Sequence, residues 1–451
     1  MPREAANAWL SGMKKFLLGL AVVVVVAIGG LAVFVRVASR DAPPPDETEF
    51  AAERPDVAPA DNAFTYFLEA TNLLVETTNR QWFVDFRMDK APASDELRSL
   101  VATNAECLAL VKRGIECAIC LPPPVETIDT LTPYVNPWLH MEEILEARTR
   151  LARLDGRFED AADDLAVGLR FGDLVQKDAS SLIGYLVGVA IFSASAESAM
   201  ELARDPAAPP ETLAQLAAEL EKAGPFDGGL VLAMKTEHRT ACNVVDDLRK
   251  KQEQMMLYSC IDSNTNRWME WLSNFRYFFQ PNRTKRDLAE AHRFMIDQAT
   301  RIYADIEPFD ISDKEGGSWA VLRPNVIGNS VFLIMLPSET IVEARCRTDG
   351  LLAGAKLVVA CHRFARDKGR WPETLAELVP EYLGEVPRDP FDGAPFRYSA
   401  EKSLVWAVGK NLTDEGGSTR LLGVEPASPA GRDRRRAEDF VFDLKPTEKA
   451  E

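Results

Sequence analysis

Residues 16–35, FLLGLAVVVVVAIGGLAVFV, carry no charge over twenty positions. A helix rises about 1.5 Å per residue, so this run spans ~30 Å, the hydrocarbon thickness of a bilayer. A cleaved signal peptide has an apolar stretch of only ~7–15 residues, followed by small residues at the cut. Here the run is longer, and Arg36 and Arg40 stand where cleavage would fall. The segment reads as an uncleaved anchor. Arg3, Lys14 and Lys15 precede it and Arg36 and Arg40 follow it, so the basic residues are nearly balanced. The shortness of the N-terminal side then sets the expectation of residues 1–15 in the cytoplasm and the body outside it.

Residues 36–61 contain DAPPPDETEFAAERPDVAPAD, rich in proline and acid, and read as an extended spacer between membrane and body. Residues 62–340 follow a helical period. Asp61 or Asn62 is placed to cap a helix carrying Phe64, Phe67 and Leu68. Between Pro137 and Lys177 the pattern predicts two antiparallel helices about a turn at Asp155-Gly156-Arg157. The stretch LDGRFEDAADDLAVGL in this pair resembles one tetratricopeptide hairpin, but no copy recurs at a fixed period. Leu182 to Ser195 and Val326 to Leu336 are apolar and too short to span a bilayer, and the first is expected as a buried helix.

The net charge of -17 excludes an extended nucleic-acid surface, and the arginines at 432, 434, 435 and 436 are too local to make one. The seven cysteines allow up to three disulfides. Cys117-Ala-Ile-Cys120 has the spacing of a redox pair, yet it runs into three prolines instead of opening a helix, so a structural role is expected. His140 with Glu142 and Glu143 reads HxEE, not the HExxH of a zinc helix, and His140 and His238 are expected on solvated helix faces. His292 and His362 have no partner fixed by sequence. No nucleophile elbow or phosphate-cradling glycine loop occurs. No catalytic site is indicated.

Residues 341–446 read as a separate α+β module, with a polar tail at 447–451. Ala353, Leu357, Cys361 and Phe364 make one helical stripe, and GRWPETLAELVPEYL restarts the chain with a short second helix. Phe396, Tyr398, Leu404, Trp406 and Val408 alternate about Ala400–Ser403, which predicts a two-stranded hairpin. A long helix, GRWPETLAELVPEYL, VPRDPFDGAPFRY, a strand ending AVGKN and then DEGG resemble the C-terminal half of the major pseudopilin of type II secretion systems. That resemblance implies a small antiparallel sheet and a Ca2+ ion on an acidic loop, for which Asp414, Glu415 and Asp439 are the candidate ligands. Residues 418–437 separate the two acidic pieces. The family's Gly-Phe processing site is absent from Ser11–Phe16, and no acid lies within 16–35, so filament assembly is not implied.

The expected protein is mainly α: an N-terminal transmembrane helix, a domain of α-helical hairpins and the pseudopilin-like module. Its expected role is that of a single-pass scaffold or binding component in the inner membrane of a bacterial envelope, working through a protein partner that the sequence does not name. The alternatives are an envelope hydrolase or thiol-redox protein with a site in the helical domain, and a secretion-filament subunit.

Overall fold

The computed structural model describes residues 2–52, 54–77, 80–87, 90–127, 130, 132–259, 277–312, 323–336, 340–420 and 438–445. Cys260, the loop at 316–319, the four clustered arginines and the 447–451 tail lie outside the described residues.

The chain is mainly helical, with one small sheet near its end. Its helices are α1 (Pro2–Ala38), α2 (Ala63–Leu73), α3 (Arg80–Arg87), α4 (Asp95–Thr103), α5 (Ala105–Gly114), α6 (Val135–Leu154) and α7 (Phe158–Lys177). They continue as α8 (Leu182–Arg204), α9 (Pro210–Lys222), α10 (Asp227–Ser259), α11 (Pro281–Gln298), α12 (Val326–Met335) and α13 (Thr340–Lys368). Strands β1 (Arg397–Ser399), β2 (Leu404–Val408) and β3 (Asp439–Asp443) form an antiparallel sheet in the order β1-β2-β3. Two compact units divide the chain. The first holds Met1–Glu49, Ala241–Ala291 and Asp310–Leu336, and the second holds Phe50–Thr240, His292–Phe309 and Pro337–Glu451.

In the first unit, α1 contains the apolar run. Met13–Ala38 is a 26-residue apolar helix, and none of its most apolar stretch is buried against protein. The segment after it is extended, as its prolines require, but it is docked where a free spacer was expected. The Asp41 carboxylate accepts the N–H groups of Asn282 and Arg283, each at 3.0 Å, and so satisfies donors at the head of α11. The same segment enters the second unit at Phe50, which is buried and stacks on His238 with ring centroids 3.8 Å apart.

The second unit is built on helical pairs. Asn62 caps α2 by accepting the Phe64 N–H at 3.1 Å. Phe64, Phe67, Tyr134, Trp138 and Phe171 then pack in one aromatic cluster, edge to face except for the tilted Tyr134–Trp138 pair. The α6–α7 hairpin turns at Asp155-Gly156-Arg157, with Gly156 at φ 74°, and Arg148 grips Asp164 across it through two hydrogen bonds of 2.8 and 2.6 Å. Helix α8 is longer than the apolar run alone suggested and is apolar enough to cross a membrane by length and composition. Its inner face is nevertheless occupied: Ile191, Phe192, Ala196 and Ala199 are buried in core. At Gly172 of α7 a Cβ atom would lie 2.4 Å from the Phe192 amide nitrogen, so only glycine permits this approach.

Helix α13 joins the helical core to the sheet. Leu357, Val358, Cys361 and Phe364 lie in one hydrophobic cluster with Leu165 and Leu169 of α7, Leu213 and Leu216 of α9, and Val405, Phe440 and Phe442 of the sheet. One core therefore runs through both sides of the 340/341 boundary. His362 secures the far end, its Nε2–H donating to the Leu444 carbonyl at 2.9 Å while Trp371 packs edge-on against the ring. Burial, with help from Arg204 and Arg366, lowers the imidazole pKa from 6.5 to about 4. The folded chain keeps His362 neutral where the unfolded chain takes up a proton, so this residue costs stability as pH falls from 6.5 towards 4. The full effect is roughly 3 kcal/mol. His362→Gln keeps a donor for Leu444 and cannot titrate. Chemical denaturation across this pH range should show the wild type losing stability relative to the variant as acid is added. Parallel profiles would contradict the assignment.

Candidate functional site

The acidic residues singled out by the sequence lie around the end of the sheet, and the DPFDG turn organises the region beside them. Asp389 is buried, and its carboxylate accepts the N–H groups of Phe391 at 2.8 Å and Val408 at 2.7 Å and also binds Arg397. Burial nevertheless raises its pKa from 3.8 to about 6. Arg397, the first residue of β1, also pairs with Asp392 and reaches Asp414 at 3.7 Å. One guanidinium thus ties three acidic residues to the strand. The sequence showed the turn but not that Asp389 and Arg397 would be its fixed centre.

The loop from Asn411 to Ser418 is closed by its own amides. Gly416 and Gly417 have φ of 71° and 82°, a left-handed region that side-chain-bearing residues rarely adopt. This turns the N–H groups of Gly417 and Ser418 onto the Asp439 carboxylate at 2.9 and 2.8 Å, and the Glu415 N–H approaches it at 3.4 Å. Asp414 accepts the Trp406 indole N–H and the Gly416 N–H, both at 2.9 Å. The Trp406 bond, with Arg397 adding to it, lowers the Asp414 pKa. Glu415 accepts from Asn411 at 2.8 Å through one oxygen, while its other oxygen is buried without a hydrogen bond. Desolvation and the neighbouring Asp439 raise its pKa.

These residues meet in one loop, yet as arranged they do not fit a Ca2+ cage. A calcium ion takes roughly six to eight oxygens. Here Asp439 is committed to backbone donors and one oxygen of Asp414 to an indole and an amide, which leaves the second Asp414 oxygen, 3.7 Å from Arg397, and one buried oxygen of Glu415. The geometry is that of a carboxylate holding a glycine turn against β3.

The other sequence candidates are dispersed. His140 pairs with Glu76 at 2.8 Å, while Glu142 points inward and accepts the Ser195 hydroxyl at 2.9 Å, so the HxEE residues do not converge. His238 is not on a solvated face: Phe50 covers it, and the buried His292 ring lies edge-on with centroids 5.1 Å apart. Cys107, Cys117, Cys120, Cys242, Cys346 and Cys361 are free thiols, so none of these six forms an expected disulfide. Burial raises the thiol pKa of Cys117 and, far more, of Cys120, the reverse of what a nucleophilic thiolate requires. A surface groove of about 330 Å³ lies between α9, α13 and the Pro380–Gly384 loop, floored by Ala217 and Ala218. At its rim Lys356 pairs with Glu221 at 3.1 Å and Arg363 lies over the Tyr382 ring. No family model, curated protein or solved structure gave a significant match to the chain.

Asp439→Ala should destabilise the protein by about 2–4 kcal/mol, because the half-buried amides of the loop lose their acceptor. Thermal unfolding of the wild type should be the same with Ca2+ and with chelator. A rise of several degrees on adding Ca2+ would overturn the reading of the loop as self-satisfied.

Proposed function

We propose that this chain is a single-pass protein of a bacterial inner membrane whose extracytoplasmic body serves as a non-enzymatic scaffold or binding component. The observation that carries the reading is α1: a long apolar helix whose most apolar stretch is not buried among the described residues, joined to a body with its own filled cores. Membrane insertion removes that apolar surface from water. Support for a non-catalytic role comes from the thiols, whose environments oppose thiolate formation, and from a carboxylate cluster taken up in loop closure. The groove between α9 and α13 offers a surface of matched charge, suited to recognition by shape.

The likeness of the terminal module to the major pseudopilin is supported by its order of elements: a long helix, a proline-rich loop with a 3-10 turn at Leu375–Leu378, then a three-stranded antiparallel sheet. It supports a similar module, not a filament subunit, since the processing junction is missing from the sequence. The topology is tested by adding protease to intact spheroplasts. The body should be digested, leaving a short fragment that contains α1. Survival of the full-length chain, with digestion only after lysis, would reverse the orientation.

A further inference from the structure

The first unit carries a second apolar surface close in sequence and in bonding to the anchor. Helix α12 has the sequence VIGNSVFLIM, ten residues without a charge. Gly328, Val331 and Phe332 form its inner face. A Cβ on Gly328 would lie 2.0 Å from the Thr284 hydroxyl oxygen, so this face is pressed against α11. The opposite face presents Ile327, Leu333 and Ile334, with Ile334 80% exposed. Ser330 lies on the same side, and its hydroxyl donates to the Val326 carbonyl at 3.0 Å, which lowers the cost of placing it in an apolar medium. A contiguous apolar face of this kind on a protein surface marks a contact site.

The bonding of α12 fixes its depth relative to α1. Phe34, next to last in the apolar run, packs edge-on against Tyr277 with centroids 6.4 Å apart. The side chain of Gln280 donates to the Ala38 carbonyl at 2.6 Å. Asn325, which precedes α12, donates its N–H to the Tyr277 carbonyl at 2.6 Å and accepts the Gln280 N–H at 2.7 Å. Ile327 donates its N–H to the Phe278 carbonyl at 2.9 Å. The start of α12 is thus bonded to the same few residues that hold the end of α1, within about 5–10 Å of where the apolar run leaves the hydrocarbon. That is the depth at which interfacial helices lie and where tyrosine is favoured. At roughly 15 Å, α12 taken by itself reaches only half-way through a bilayer core, which suits it to lie in the interface. Arg36, Arg40 and Arg283, all exposed, supply cations on the adjoining segments.

We infer that α12 is a second membrane contact, an interfacial helix that sets Ile327, Leu333 and Ile334 into the lipid surface beside the anchor. The inference rests on the anchor reading above and adds a fixed seating of the first unit on the bilayer, where a lone span would leave it free to rotate.

The test uses the full-length protein in phosphatidylcholine and phosphatidylglycerol vesicles. A cysteine carrying an environment-sensitive fluorophore is placed at Ile334, at Val25 within α1, or at Glu219 on α9, with the unsubstituted chain as labelling control. Lipids brominated near the head of the acyl chain, or near its tail, then act as shallow and deep quenchers. The Ile334 label should lose roughly half of its emission, as befits shallow burial, while the Glu219 label keeps its own. Quenching at Val25 but none at Ile334 would overturn the inference and leave the anchor standing. Absence of quenching at Val25 would remove the anchor and this inference with it. A shielded Ile334 label that ignores the quencher and becomes exposed on dilution would assign the face to a second copy of the chain, also overturning it.

Discussion

The structure depends first on where the side chains of α1 go. Each Leu, Ile, Val or Phe left in water forgoes about 1.5–3 kcal/mol relative to full burial. In this chain Phe16, Leu17, Leu18, the valines at 22–26, Ile28 and Leu31 are all about half exposed or more. A helix hydrophobic all round must be buried in something, and among the described residues no protein surface covers the most apolar stretch of this one. It is long and apolar enough to cross a bilayer, and lipid is the medium we propose for it. Everything proposed about location follows from that mismatch.

Within the second unit, stability comes from close approach between helices. Gly172 lets Phe192 reach the α7 backbone, and Gly354 admits the Phe442 ring, which a Cβ would meet at 2.4 Å. Small residues at such crossings trade side-chain area for dense packing across the contact. The consequence is a terminal sheet held by the same core as the helical hairpins, with α13 in contact with both. Polar links reinforce it, including the Arg204 guanidinium on the Asp443 carbonyl at 2.7 Å. A module of this kind is positioned by its neighbours and contributes to their stability.

Much of this was legible in the sequence, for identifiable reasons. The long apolar N-terminal helix, the turn at Asp155–Arg157 and the β1–β2 hairpin about Ala400–Ser403 are set by local periodicity and turn chemistry. Asn62 as a cap and the buried stripe from Ala353 to Phe364 belong to the same class. Other features depend on distant partners. β3 pairs with β2 from beyond residues 418–437, so no local pattern announces it. His238 looked solvated between Glu237 and Arg239, and it is buried because Phe50, from a segment read as a spacer, stacks on it. Asp414, Glu415 and Asp439, named in the sequence through the resemblance, lie about one loop. Their hydrogen bonds, which decide between holding a loop and holding an ion, appear only when the backbone amides of Gly417 and Ser418 are placed.

The account stands on α1 residing in lipid, and alkaline carbonate extraction of membranes measures this directly. Carbonate strips proteins held by charge or by partners and leaves those that cross the bilayer. The wild type should stay in the pellet, and a variant with Val24→Asp and Val25→Lys, which lays charge at the centre of the run, should move to the supernatant. Release of the wild type itself by carbonate would contradict the account.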